Sequence, residues 1–405
     1  MTAPSQSDRS RNTFEGHAAL ALFQLAPDRI HLNHGSYGAV PKSVAAEQDR
    51  LRALIERDPT SFFNDVLPGE LRRLAGVAAS RFGGTATEWV FCENATSAVS
   101  SVLSSLDLRT GDEILTTSHA YGTVLKATSV FATRSGASLS VAEFPAWVES
   151  EDQIVASIVR GFTVRTKLLI VDHITSATAL VFPIERIVRE ARAAGIPVLV
   201  DGAHAPGQIA FDVKQIGADW YTGNAHKWLF APRGCGLLWT APNRQSQTRP
   251  AVLSHGAQEG YIAAFDWVGT RDVTAWLCLE EAIAFHDSLG GSVLMGRNRA
   301  LAAEGVDFLG AALGGRANAP PELRPAMAAV NLGPAGADQG LPDRLRRELA
   351  TKFGVVVPIF LFKSDIYLRI SIQIYNERQD FKMLADCLSK CLEAGHGLRR
   401  FKLFE

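Results

Sequence analysis

Apolar and polar positions change their spacing repeatedly between residues 88 and 240, and each change predicts a new element. Short apolar runs at 89–92, 113–117, 138–144 and 167–172 read as strands, as does 196–200, which is almost wholly apolar. Between them, apolar residues three and four apart predict helices over 95–106, 122–134, 154–162 and 184–194. Near-continuous apolar strands alternating with helices imply an α/β fold with a mostly parallel sheet covered on both faces. Two further short strands, 219–222 and 236–239, close this region.

The pattern differs on either side. A turn-rich run, Asn33-His34-Gly35-Ser36-Tyr37-Gly38, precedes a helical pattern over 43–57. Beyond residue 276 a long helix is expected over 277–288, continuing from 295. A Gly/Ala/Pro-rich stretch, 310–325, then connects to strands at 355–357 and 366–374 and a closing helix over 380–394. The expected organisation is an N-terminal arm (1–30), a large domain (31–276) and a small α+β C-terminal domain (277–405). A chain of 405 residues exceeds what one core usually supports, in keeping with two domains.

Composition narrows the function classes. Hydrophobic residues make up 47% and charged residues 20%, the profile of a globular chain, not a disordered one. A formal net charge of −1 offers no basic field for nucleic acid, and Arg186, Arg189 and Arg192 read as a solvated helix face. The first 16 residues lack the apolar core of a signal sequence, and no run approaches the roughly 18 apolar residues of a membrane span. The five cysteines (Cys92, Cys235, Cys278, Cys387, Cys391) are odd in number and scattered; Cys387 and Cys391 lie one helical turn apart, but no second pair accompanies them. The expectation is a reduced, cytoplasmic protein with no metal, membrane or nucleic-acid partner.

In an open parallel sheet, ligands bind beyond the carboxyl ends of the strands, so the chemistry is sought there. After the run ending at Cys92 comes Glu93-Asn94-Ala95-Thr96-Ser97, which reads either as an ordinary helix cap or as an anion cup. No strand–helix junction carries GxGxxG or GxxxxGK[ST], so a phosphate-bearing ligand, if any, is smaller than a dinucleotide. The strand Val198-Leu199-Val200 ends in Asp201-Gly202-Ala203-His204; a carboxylate buried there needs a cationic partner, and a protonated pyridine nitrogen is one. Downstream, Lys227 sits in Thr222-Gly223-Asn224-Ala225-His226-Lys227-Trp228, an unusual setting for a surface lysine. Taken singly, each residue has a bland structural explanation. Jointly, a lysine for an imine, a carboxylate for a ring nitrogen and a phosphate cup are the set that pyridoxal 5'-phosphate (PLP) chemistry requires.

With these motifs the chain, from about residue 30 onward, resembles the class V aminotransferase group of fold-type-I PLP enzymes. More narrowly it resembles the branch that includes isopenicillin-N epimerases and hercynylcysteine sulfoxide lyases. The residues that carry the likeness are Leu32 to Gly38, Glu93-Asn94-Ala95-Thr96, and Asp172-His173-Ile174-Thr175-Ser176-Ala177-Thr178. Asp201-Gly202-Ala203-His204, His226-Lys227-Trp228 and Tyr367-Leu368-Arg369-Ile370-Ser371 complete it. The resemblance implies an aspartate aminotransferase-like fold, with Lys227 as the Schiff-base residue and Asp201 on the pyridine nitrogen. It further implies His204 near the phenolic oxygen, Tyr121 stacked on the ring, and Asn94, Ala95, Thr96, Asn224 and His226 around the phosphate. Thr270 matches a residue that reaches the phosphate of a neighbouring subunit, which implies a homodimer. Arg369 would clamp the carboxylate of an amino-acid substrate, with Asn33, His34, Tyr37 and Thr175 also on the substrate side.

Two departures from the group bear on the reaction. Cysteine desulfurases carry a nucleophilic cysteine shortly before the carboxylate-binding arginine; residues 354–365 here contain none, which disfavours persulfide transfer. Many relatives stack a histidine where this chain has Tyr121, which leaves Lys227 as the main proton carrier. The expected activity is carbon–sulfur β-elimination from a cysteine S-conjugate, with epimerisation or transamination as the alternatives. An epimerase needs a second acid/base group, for which His34 and Tyr37 are the candidates. A PLP-fold binding module without turnover is a further alternative, against which intact Lys227, Asp201 and Arg369 argue.

Overall fold

The computed structural model describes residues 15–396. In chain order its strands are β1 (Ile30–His31), β2 (Trp89–Cys92), β3 (Glu113–Thr117), β4 (Ser138–Ala142), β5 (Thr166–Asp172), β6 (Val198–Gly202) and β7 (Trp220–Asn224). They continue with β8 (Gly236–Thr240), β9 (Arg316–Ala317), β10 (Met327–Pro334), β11 (Val355–Val356), β12 (Ile359–Phe362) and β13 (Asp365–Ser371). Two compact units result: 43–292, and 15–42 joined with 293–396. The first 14 residues of the expected arm lie outside the described residues.

The unit 43–292 is built on a seven-stranded sheet in the order β2-β8-β7-β6-β5-β3-β4. β3 to β7 pair in parallel, and β8 runs antiparallel to both its neighbours. Every residue of β2, β3, β6, β7 and β8 is buried, because helices cover both faces. Val90, Ile114, Leu168, Ile170, Leu199 and Leu238 pack on one face with Val99 and Val102 of the helix Ala95–Ser104. On the other face Gly202 has no side chain for a steric reason: a Cβ there would stand 2.3 Å from the Tyr221 hydroxyl. That hydroxyl instead bonds His173 Nδ1 at 2.9 Å. Since β8 alone is reversed, the carboxyl ends of β2, β3, β5, β6 and β7 lie along one edge.

The other unit centres on a four-stranded antiparallel sheet in the order β12-β13-β10-β9. Leu368, Ile370, Val330 and Leu332 pack there with Leu345, Leu349, Leu384 and Leu388 of the helices Leu341–Lys352 and Arg378–His396. β1 pairs in parallel with β11, so residues 30–42 belong to this unit and not to the one built around β2–β8. The helix expected to run through 277–288 and on from 295 is broken. Leu279–Ser288 stops before Gly290 and Gly291, both left-handed (φ 106° and 54°), and a new helix, Ser292–Leu313, begins. No described helix is long and apolar enough to cross a membrane.

Candidate active site

Six loops leave the carboxyl edge of the large sheet, and the motifs of this unit lie on those after β2, β3, β5, β6 and β7. After β2, Asn94 caps the helix Ala95–Ser104: its Oδ1 accepts the Ser97 N–H at 3.0 Å, and its own N–H donates to Ser97 Oγ. The Ala95 N–H donates to Asn224 Oδ1, at the end of β7, at 2.8 Å. Of the first three N–H groups of this helix, two are thus taken by side chains. Among the described residues neither the Thr96 N–H nor its hydroxyl has a partner, so two donors remain at the positive end of the helix dipole.

After β3, Tyr121 precedes the helix Gly122–Arg134 and is 44% exposed, while its backbone N–H donates to the Asp172 carboxyl. His119, two residues earlier, is fully buried: it stacks on Phe144 at a centroid distance of 4.4 Å. Its Nε2 lies 3.1 Å from the Pro145 carbonyl, and its Nδ1 2.8 Å from Thr178 Oγ1. Thr178 in turn lies 2.8 Å from Thr175 Oγ1, which also accepts the Leu180 N–H. The expected substrate-side residue Thr175 is therefore buried within a hydroxyl–imidazole chain.

Asp201 ends β6 with 4% exposure; among the described residues the only hydrogen bond to its carboxylate is the Ala203 N–H at 3.0 Å. Burial pushes its pKa up, against the pull of that N–H and of the Lys227 charge. Lys227 Nζ sits 3.3 Å from His204 Nε2, and Trp228 Nε1 donates to His204 Nδ1 at 3.3 Å. His226 donates from Nδ1 to the Cys235 carbonyl at 3.1 Å, and burial, then the Lys227 charge, push its pKa down to about 4. The turn after Lys227 closes through Phe230, held in the left-handed region at φ 67°. Thr270 is exposed on a loop whose neighbour Arg271 pairs with Glu93, beside Asn94. The unit thus brings Lys227, Asp201, His204, Asn94, Ala95, Thr96, Tyr121, Asn224 and His226 to one sheet edge.

This donor set fits PLP. A buried carboxylate with one open oxygen suits a protonated ring nitrogen, an amine stands at the same edge, and an unspent helix N-terminus suits a phosphate.

The remaining predicted residues belong to the other unit. Arg369, in β13, is 5% exposed; its Nη2 donates to Ser36 Oγ at 3.1 Å, and Ser36 donates to Asn33 Oδ1 at 2.6 Å. His34 is buried, with Nδ1 2.9 Å from the Tyr375 hydroxyl and Nε2 3.4 Å from Gln373 Nε2. Tyr37 is 70% exposed.

Sequence reasoning quoted Asp172 only within a motif and gave it no role, although it ends an apolar strand much as Asp201 does near the end of β6. In register with Asp201 and 4% exposed, it is held well above the ordinary carboxylate range by burial and by the Asp201 charge beside it. The same reasoning quoted Trp228 and Thr178 within motifs without a role and passed over His119, whose pairing with Thr178 no local spacing signals.

Comparison with known proteins places these features in context. The aminotransferase class-V family profile matches residues 77–384. A putative L-cysteine desulfhydrase 1 of Oryza sativa subsp. japonica is 32% identical over 401 residues, spanning 90% of this chain and 83% of that one. The isopenicillin N epimerase of Streptomyces clavuligerus is also 32% identical, over 90% of this chain and 95% of its own. Among solved structures, a lysine-to-alanine mutant of C-DES with glycine covalently linked to its PLP cofactor superposes with a TM-score of 0.77. That match has 19% identity and covers 96% of this chain and 99% of the other, a likeness of fold.

Proposed function

The chain belongs to the aminotransferase class-V family and is a PLP-dependent enzyme, and from that premise we propose that it cleaves the carbon–sulfur bond of a cysteine-type amino acid. When bound, PLP supplies an electron sink that makes the substrate α-proton acidic and lets a β-substituent leave. Lys227 would hold the cofactor through its amine, and the same amine, once free, would take the substrate α-proton. Asp201 keeps the proton on the ring nitrogen. His204 would lie on the side of the phenolic oxygen and Tyr121 would cover the ring. Thr96, with Asn94, Ala95, Asn224 and His226, forms the phosphate cup, and Arg369 binds the substrate carboxylate with its planar fork. Thr270 serves the neighbouring subunit of a homodimer.

The observation that carries lysis over epimerisation is the supply of proton carriers. Lys227 is an amine at the same edge as Asp201, whereas an epimerase must also return a proton from the opposite face. Of the two candidates for that second role, His34 has both ring nitrogens engaged and Tyr37 is exposed. Residues 354–365 contain no cysteine to accept sulfur, so the sulfur leaves as a free thiol, sulfide or sulfenate. The relatives named cysteine desulfhydrase support this reading; the epimerases of similar identity make epimerisation the second one.

The test is a panel of L-cysteine and cysteine S-conjugates, read for pyruvate, ammonia and released sulfur together. Borohydride treatment should fix the cofactor on the peptide containing Lys227, and Lys227→Ala should lower turnover by at least about a thousandfold. Racemised substrate without keto acid overturns the lyase reading; labelling at another lysine overturns the site.

A further inference from the structure

The loops bearing His204 and Lys227 are packed without slack. Gly207 is left-handed (φ 83°), and a Cβ there would meet the Trp228 carbonyl carbon at 2.5 Å and the Leu229 nitrogen at 2.7 Å. Gln208 Nε2 donates to the His204 carbonyl at 2.7 Å, and the Ala205 N–H to the Gly202 carbonyl at 2.8 Å. His204 is 3% exposed and Trp228 1%. Within this clamp Trp228 Nε1 meets His204 Nδ1 at 3.3 Å, and Lys227 Nζ meets His204 Nε2 at 3.3 Å.

The donor and acceptor capacities of these two contacts constrain where the protons sit. An indole N–H only donates, so His204 Nδ1 must hold a lone pair. An imidazolium would set two donors against each other there, so His204 is neutral and its proton sits on Nε2. That N–H points at Lys227 Nζ, and the contact is a hydrogen bond only if Nζ accepts. An ammonium has no lone pair to accept with; an amine does.

We propose that Trp228 is a positioning residue that fixes the Nε2–H tautomer of His204 and, through it, favours the amine form of Lys227. The amine is the form whose lone pair adds to a carbonyl carbon, the carbonyl oxygen leaving as water. The tryptophan after the lysine thereby acts on the cofactor-capturing group two contacts away, without touching the reacting atoms. Once Lys227 is bonded to the cofactor, the same tautomer leaves a fixed N–H donor at that position. This rests on the assignment of Lys227 as the cofactor-bearing residue.

The experiment reads the tautomer directly. Protein labelled with ring-15N histidine, with and without cofactor, is examined by 1H–15N spectroscopy, and His204 is assigned from a His204→Gln variant. The expected spectrum has a protonated Nε2 and a lone-pair Nδ1, unchanged from mildly acid to mildly alkaline solution. In Trp228→Phe the tautomers should mix. Cofactor-free Trp228→Phe should also capture added PLP roughly three- to tenfold more slowly at neutral pH, the worth of one hydrogen bond, and recover in alkali. A proton on Nδ1 in the wild-type protein overturns the proposal even if the variant fails to fold. So does a variant with altered tautomer and unaltered capture. Borohydride labelling at a different lysine would instead overturn the site assignment, leaving the His204 tautomer as measured.

Discussion

Asp172 and Asp201 are register partners on adjacent parallel strands, so two buried carboxyl groups stand side by side on one face of the sheet. Burial raises both pKa values, and for Asp172 the neighbouring Asp201 charge raises it further, while Lys227 lowers both. Two anions side by side in a buried place repel each other, so Asp172 is the member of the pair that keeps its proton. Its folded pKa lies above the ordinary 3.8, so between these values the native state binds more protons than the unfolded chain. The stability it contributes is therefore present below the ordinary value and lost as pH rises through the folded one.

Asp172→Asn should accordingly stabilise the cofactor-free protein at neutral pH and flatten the decline of Tm towards alkali. A gain of ~1 kcal/mol would appear as about 1–2 °C in a chain of this length, and the amide oxygen still accepts the Tyr121 N–H. Asp201→Asn should instead keep PLP but lose activity by about a hundredfold, because the ring-nitrogen proton loses its partner. Thermal melts across pH and turnover assays check the pair. A lower Tm in Asp172→Asn at neutral pH would mean that Asp172 works as an anion.

Acid should unfold the protein through buried histidines. Burial pushes the pKa of His173 and of His226 down from 6.5 to about 4, with the Lys227 charge assisting at His226. Between those values the unfolded chain binds the extra proton, so stability is complete above pH 6.5 and is lost as pH falls through about 4. Each histidine accounts for on the order of 3 kcal/mol over that window. His173→Gln can still reach the Tyr221 hydroxyl, and it should make the acid limb of a stability–pH curve shallower. An unchanged acid limb in that variant would show that His173 is solvated in its charged form.

The large sheet was legible because its strands are buried on both faces and read as apolar runs; 89–92 and 113–117 match the observed β2 and β3. Asp201 and Lys227 were legible because a carboxylate and a lysine at such strand ends conflict with their surroundings. The small sheet was legible only at β13, anticipated at 366–374. Its central strand β10 reads Met-Ala-Ala-Val-Asn-Leu-Gly-Pro, rich in residues of low strand propensity, and owes its conformation to β13 and β9 on either side. The helix Leu341–Lys352, dominated by polar and charged positions, escaped notice as well, as did Leu67–Phe82. β1 was invisible for another reason: its partner β11 lies more than 300 residues away, and a two-residue strand has no period. The roles of Trp228 and His119 were not legible, since only three dimensions reveal which nitrogen each one meets.

Thr96 offers a measure of the phosphate cup. Its N–H and hydroxyl are the donors left at the start of a helix whose neighbouring N–H groups are already bonded. Thr96→Val removes the hydroxyl at nearly constant volume and leaves the cap at Asn94 intact. PLP affinity, read by absorbance titration of cofactor-free protein, should fall roughly tenfold or more, as for a hydrogen bond to a charged group. Tm without cofactor should hardly change. An unaltered affinity would place the phosphate elsewhere.

Deuterium separates lysis from epimerisation. Arg369, held by Ser36 and Asn33, would fix the substrate carboxylate and with it the direction of the Cα–H bond. If Lys227 removes the α-proton and the sulfur leaves faster than a proton returns, substrate recovered from deuterated water carries little label while keto acid accumulates. An epimerase must return a proton to Cα in every turnover, so label would enter both enantiomers and no ammonia would form. Arg369→Leu should weaken substrate binding by about 2–5 kcal/mol, the cost of losing one side of a buried ion pair, without changing the ratio of label to product. The ratio reports the competition between two fates of the same carbanion-like carbon, whereas Arg369 acts before that branch. A shift of the ratio towards label in Arg369→Leu would mean that the arginine also sets the geometry of sulfur departure, and a wild-type ratio dominated by label would transfer the assignment to epimerisation.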